Sequence, residues 1–205
     1  LDREIGRLVD YLEASDKIDN TLIFFISDNG GAEYTLATDN GAYKGGKITN
    51  FEGGLKVPMF ITWPGKINPG KDYNKPVIAL DMFKTSLAAV TTETYPLPLD
   101  GTDLLEVVKT DELAHDYLYF RKGFNHAVRS GQYKFSWSTR TGDSLLFDMV
   151  SDQYEKINLY DPALPEVNKM LGAYNRWQKQ LIAPAWPAMI YYRFKDKDGT
   201  EYWFE

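Results

Sequence analysis

The chain has 205 residues, and its 23 Lys+Arg against 29 Asp+Glu give a formal charge of −6. An apolar share of 43% with 15% aromatics supports a sizeable core and excludes wholesale disorder. The acidic balance, with no basic block, excludes the electrostatic footprint of a nucleic-acid binder, and no apolar run approaches the roughly 18–20 residues of a membrane-spanning helix.

Leu1, Ile5, Leu8, Val9 and Leu12 fall on one face of an amphipathic helix over residues 1–14. The pattern is under way from Leu1-Asp2-Arg3-Glu4 with no leader-like segment. This predicts a piece of a longer protein whose targeting signal lies upstream. Thr21–Ser27 is a short continuous apolar run, which predicts a strand buried on both faces, as in a parallel sheet covered by helices. It stops at Asp28-Asn29-Gly30-Gly31. Gly30, Gly31, Gly41, Gly45, Gly46, Gly53 and Gly54 then mark a long loop whose backbone turns tightly or approaches a ligand.

Val57–Trp63 predicts a second strand, with Pro58 at its start. Asp81 is the expected N-cap of a helix through Val90. Helix, strand, strand and helix in that order predict an α/β layer over residues 1–95. Thr91–Asp100 reads as a linker.

Residues 96–205 read differently. Asp116–Arg121 is a strand. His126–Arg129 and Gln132–Trp137 form a hairpin with Tyr133, Phe135 and Trp137 on one face, read as core rather than as a sugar platform. Leu145–Phe147 is a further strand. Pro165 opens a helix that carries Val167, Met170, Leu171, Tyr174, Trp177 and Leu181 along one side. Tyr191–Phe194 and Thr200–Phe204 form a second hairpin. The expected whole is a small α+β subdomain, an antiparallel sheet packed on a helix.

The absence of Cys removes disulfides, thiolate metal sites and thiol nucleophiles from these residues. Chemistry concentrates at Asp28-Asn29, at the carboxyl end of the first strand, where α/β sheets collect ligands. A carboxylate beside an amide oxygen suits Ca²⁺ or Mg²⁺, although six to eight oxygens are needed for Ca²⁺. The same residues are also ordinary turn formers. Downstream, Lys44 and Lys47 flank Gly45-Gly46 and suit an oxyanion, but the spacing is not that of a P-loop.

The pieces together resemble the formylglycine-dependent sulfatases. They are Ser27-Asp28-Asn29-Gly30-Gly31, Lys44-Gly45-Gly46-Lys47, Phe51-Glu52-Gly53-Gly54-Leu55-Lys56-Val57-Pro58 and Trp63-Pro64-Gly65, in that order. Asp100–Leu105, Ala127–Lys134 and Leu146-Phe147-Asp148 extend the resemblance over nearly the whole chain.

That resemblance implies the C-terminal part of an alkaline-phosphatase-like catalytic domain (1–95) followed by a C-terminal subdomain (96–205). It implies Asp28 and Asn29 as two ligands of one Ca²⁺, Lys47 as the lysine that binds the sulfate group, and Lys44 near the substrate. His126, on a subdomain that often overhangs the pocket in this family, is a further substrate-side candidate beside its plainer reading as a packed histidine. The family's nucleophile is a formylglycine made from Cys or Ser in a Cys/Ser-x-Pro-x-Arg motif, and no such motif occurs in these residues. Turnover by this chain alone is therefore not expected.

A basic patch of Lys44, Lys47, Lys56, Arg121 and Lys122 would offset the acidic net charge before an anionic substrate. Trp186, Tyr191, Tyr192, Tyr202 and Trp203 suit either a sugar or an interface. The expected location is periplasmic or secreted, by the habit of the family in bacteria. Two other readings remain open: a phosphatase or phosphodiesterase of the same superfamily, and a non-catalytic carbohydrate-binding module. Asn29, where two-metal members usually have His, leans toward a single metal.

Overall fold

The computed structural model describes residues 1–93, 95–186 and 191–204. Thr94 of the Thr91–Asp100 linker lies outside them. In chain order the elements are α1 (Asp2–Ala14), β1 (Ile23–Ile26), α2 (Glu52–Leu55), β2 (Met59–Thr62), α3 (Asp81–Val90) and α4 (Leu104–Thr110). There follow β3 (Leu118–Lys122), β4 (Asn125–Arg129), β5 (Tyr133–Ser138), β6 (Ser144–Asp148), α5 (Pro165–Gln178), β7 (Tyr192–Lys195) and β8 (Glu201–Phe204). They fall into two compact units, one of Leu1–Ile26 with Pro58–Ala114 and one of Ser27–Val57 with His115–Glu205.

In the first unit β1 pairs antiparallel with β2, Phe24 opposite Ile61 and Phe25 opposite Phe60. The expected parallel sheet buried on both faces is not what these residues form: Phe60 is 64% exposed and Phe25 is exposed as well. A parallel pair needs a crossover, usually helical. Between these strands the only α-helix is the single turn of α2.

Asp81 is buried and is the first residue of α3 rather than its cap. Its carboxylate accepts the Ile78 N–H and the Thr102 N–H, both at 2.8 Å, and so fixes the entry to α3 and the approach to α4 together. α4 is a helix that the apolar pattern does not predict. Asp103 caps it by accepting the Leu105 N–H at 3.0 Å, and Asp111 ends it in the left-handed region.

The second unit is built on an antiparallel sheet in the order β3-β4-β5-β6. The register sets Tyr119 opposite Val128, Val128 opposite Phe135 and Phe135 opposite Leu146, one row across a single face. Val167, Met170 and Tyr174 of α5 bury against that row, with Tyr133 and Trp137 packed at its margin. Each such large side chain contributes roughly 1.5–3 kcal/mol by leaving water. Pro165 opens α5 as expected.

β5 is buried on its other face too. There Phe147 and Met149 meet Phe51 from the glycine-rich loop and Tyr202 and Phe204 from the β7–β8 hairpin. The antiparallel sheet on a helix is thus as expected, with the terminal hairpin and the loop closing its far side. The fold class holds.

Candidate functional site

The segment 28–57 is held mainly by backbone. Gly30 donates its N–H to the Gly54 carbonyl at 3.0 Å, Gly53 to the Lys44 carbonyl at 2.9 Å, and Lys47 to the Gly31 carbonyl at 3.0 Å. A Cβ on Gly30 would collide with the Gly53 carbonyl oxygen, and one on Gly53 with the carbonyl of Gly45. Glycine stands here because two backbones touch. The result couples the Asp28-Asn29 turn to the Lys47 loop. Asn40, which no motif marks, reinforces that coupling. Its amide accepts from Gly31 N–H at 2.8 Å and donates to the Gly31 and Gly45 carbonyls at 3.0 and 3.1 Å.

Two sets of buried charges anchor this loop. Glu52, which opens α2, lies 3.0 Å from the Lys134 ammonium and 3.5 Å from the Arg129 guanidinium. Lys134 is 0% exposed and also lies 2.9 Å from Glu155, whose other carboxylate oxygen accepts the Glu52 N–H at 2.7 Å. Burial works to raise the Glu52 pKa, but Lys134 and Arg129 outweigh it and hold the carboxyl below its usual value. For Glu155 burial prevails over Lys134 and pushes the carboxyl up. Glu155 also sits at φ 57°, a strained backbone for a non-glycine residue, kept in place by these contacts.

Lys44 forms the second anchor. Its ammonium lies 2.7 Å from Asp196 and 3.0 Å from the Tyr202 hydroxyl, over the rings of Tyr202 (4.6 Å) and Phe51 (5.0 Å). Burial pulls its pKa down, but the bonds to Asp196 and Tyr202 overcome that and leave it raised. Lys44, expected near the substrate, thus has its charge already paired within the protein. Lys47 differs. Its side chain is exposed, and its ammonium makes no hydrogen bond or ion pair among the described residues.

His126, the other substrate-side candidate, is packed inside the second unit. It is 8% exposed, its Nδ1 lies 2.7 Å from the Tyr174 hydroxyl, and its ring stacks on Trp137. Burial first, and the charge of Arg121 second, hold its pKa below the ordinary value. It is a packed histidine, held by Tyr174 of α5 and Trp137 of β5.

At the turn, Asp28 Oδ1 accepts the Asn29 N–H at 3.0 Å, and the Asn29 amide donates to the Gly30 carbonyl at 2.8 Å. Asp28 Oδ2 and Asn29 Oδ1 have no protein partner among the described residues. These are hard oxygen donors of the kind Ca²⁺ takes. Among the described residues no cluster of three or more His, Asp or Glu could hold a metal. The pair therefore fits part of a coordination sphere and not the whole of one.

The fold is that of the alkaline-phosphatase-like enzymes, a mixed α/β architecture with antiparallel sheets. Residues 1–92 match the family model described as Sulfatase. Over these residues the chain is similar to the sulfatases. It is 33% identical over 146 residues to the N-acetylgalactosamine-6-sulfatase of Canis lupus familiaris, covering 69% of this chain and 28% of that protein. It is 40% identical over 106 residues to the uncharacterized sulfatase YdeN of Escherichia coli (strain K12), covering 51% of this chain and 19% of that protein. Among solved structures, Ps i-CgsB superposes with a TM-score of 0.81 at 32% identity, covering 91% of this chain and 42% of that one. The same protein has been solved in complex with k-i-k-neocarrahexaose. The chain thus spans less than a third of the curated relatives it matches.

Proposed function

We propose that these residues form the C-terminal part of a sulfatase that hydrolyses sulfate esters. Residues 1–95 complete its catalytic domain and 96–205 form its C-terminal subdomain. Lys47 binds the sulfate group. Asp28 and Asn29 supply two oxygens to one Ca²⁺, and the remaining ligands and a formylglycine nucleophile come from residues outside this sequence. The observation that carries this reading is the contrast between the two lysines of one loop. Lys44 is consumed by Asp196 and Tyr202, while Lys47 is exposed, uncommitted and tied by its own N–H to Gly31 beside the Asp28-Asn29 turn.

Hydrolysis breaks the bond between sulfur and the ester oxygen, and negative charge grows on the leaving oxygen and the sulfate oxygens. The compact ammonium of Lys47 is suited to neutralise one of them. The cation, when bound, polarises sulfate oxygens as a Lewis acid. Asp28 and Asn29 contribute by presenting fixed oxygens, and the glycine contacts keep the Lys47 loop in register with them.

Ps i-CgsB, solved with a neocarrahexaose, supports a carbohydrate sulfate as the substrate, and a periplasmic or secreted location accords with such a substrate. Among the described residues no helix is long and apolar enough to cross a membrane. The test is Lys47→Ala in the longer enzyme, assayed on aryl and carbohydrate sulfates. A loss of two or more orders of magnitude in kcat/KM is expected, and an unchanged rate refutes the assignment.

A further inference from the structure

Beside the Lys47 loop, the second unit carries an open cleft of about 440 Å³ lined by Asn50, Tyr119, Arg121, Lys122 and Trp177 among others. That volume lies within the range of small-molecule sites. Its lining is biased in charge. Although Asp and Glu outnumber Lys and Arg in this chain, the described lining has two cations and no carboxylate. In the same lining, Tyr119 and Trp177 stack on each other at 4.9 Å, and Phe120 and Leu181 add further apolar surface.

Arg121 spends one donor on the Ile182 carbonyl at 3.3 Å, and a guanidinium has five in a planar fork suited to oxyanions. Its field reaches inward as well, lowering the pKa of His126 after burial has done so. Lys122 places the cleft: its ammonium reaches the carbonyl of Ile48, the residue next to Lys47, at 3.4 Å. Asn50, three residues beyond Lys47, lines the same cleft.

Cations and apolar surface in one cleft, a residue away from the sulfate-binding lysine, would suit a sugar ring with a charged substituent. We propose that this cleft is an anion-accepting subsite for the sugar next to the one whose sulfate is cleaved. The preferred substrate is then an oligosaccharide carrying at least two sulfates, rather than a small aryl monosulfate. The inference rests on Lys47 as the sulfate-binding residue.

Calorimetric titration of the full 205-residue chain tests it. The probes are a galactose hexasaccharide sulfated on every ring, the same hexasaccharide with one sulfate, and hexagalacturonate, which carries a carboxylate on every ring. The fully sulfated probe is expected to bind at least tenfold tighter than the monosulfated one. Arg121→Gln removes that advantage, and Lys122→Ala reduces it, with the thermal midpoint of each variant checked against wild type. Lys47→Ala weakens both sulfated probes alike.

If Arg121→Gln and Lys122→Ala leave the tenfold ratio intact, the subsite is overturned and the role of Lys47 stands. If Lys47→Ala changes neither affinity while Arg121→Gln removes the ratio, the cleft binds sulfated sugar and the assignment of Lys47 fails. Equal affinity for hexagalacturonate shows that the cleft reads charge alone and overturns its preference for sulfate. No binding of the fully sulfated probe at millimolar concentration overturns the subsite outright.

Discussion

Lys44 and Asp196 form an ion pair of 2.7 Å between the glycine-rich loop and the turn of the C-terminal hairpin, with 8% and 20% of the side chains exposed. The Tyr202 hydroxyl completes the lysine's shell at 3.0 Å. Of the two lysines in the Lys-Gly-Gly-Lys stretch, one is thus a structural pin, while the ammonium of the other has no partner among the described residues.

The pin has a measurable cost of removal. Lys44→Met strands Asp196 and is expected to destabilise the second unit by about 2–3 kcal/mol, below the usual cost of breaking a fully buried pair because Asp196 is partly solvated. Urea denaturation followed by tryptophan fluorescence measures it. The lysine pKa is raised above 10.5, so this contribution is complete below pH 10.5 and is lost as pH climbs through the folded value.

Lys134 is more deeply committed. Replacing it with Ala leaves Glu52 and Glu155 facing each other in the interior, at an expected cost of about 3–5 kcal/mol. Glu155→Gln in the same chain is expected to recover part of that loss, so the two changes are non-additive in a double-mutant cycle. Additive effects would mean that the three side chains do not act as one network.

The glycines give a paired test. Gly30→Ala drives a methyl into the Gly53 carbonyl and is expected to cost about 1–3 kcal/mol or more, because the obstacle is backbone. Gly6→Ala on α1 meets no atom within 4 Å and is expected to stabilise by about 0.5–1 kcal/mol. Thermal melts of the two variants should therefore shift in opposite directions.

His126 and Tyr174 set two pH limits. The histidine's folded pKa is held below 6.5, so its contribution is complete above pH 6.5 and is lost as pH falls through the depressed value. Burial pushes Tyr174 up to about 12, against the opposing charge of Arg121. Its contribution is complete below pH 10 and is lost as pH rises through about 12. Tyr174→Phe leaves the buried Nδ1 unpartnered, at about 1–3 kcal/mol, and a stability-versus-pH profile should lose Tyr174's share of the alkaline limb and keep that of Lys44.

How much of this was visible in the sequence depends on the range of the interactions. The apolar period of α5, the Tyr133-Phe135-Trp137 alternation and the turn residues of both hairpins are local signals, and the structure follows them. The run Thr21–Ser27 was legible as a strand, but its partner was not, because an apolar run carries no information on pairing direction. Helix α4 escaped because it is short and its one strong signal, the Asp103 cap, stood inside a motif read for other reasons. Lys44, Asp196, Glu155 and Lys134 meet only through the tertiary fold, and nothing near any of them in the chain reports its partner. Lys44 and Lys47 therefore looked equivalent as sequence and part company only in space.

The isolated chain offers a direct control on the division of labour. With no Cys and no Ser-x-Pro-x-Arg, it should release no sulfate from aryl or carbohydrate sulfates. Ion chromatography of sulfate after prolonged incubation measures this, and turnover above the buffer blank would show that the nucleophile lies within these residues.

The most direct test of the account compares kcat/KM for Lys47→Ala and Lys44→Met in the longer sulfatase on one carbohydrate sulfate, below the melting temperature of both variants. A loss of about 10²–10³-fold is expected for Lys47→Ala, the scale of removing one charge-stabilising donor, with Lys44→Met within about tenfold of wild type. The reverse order, or Lys47→Ala within threefold of wild type, would contradict it.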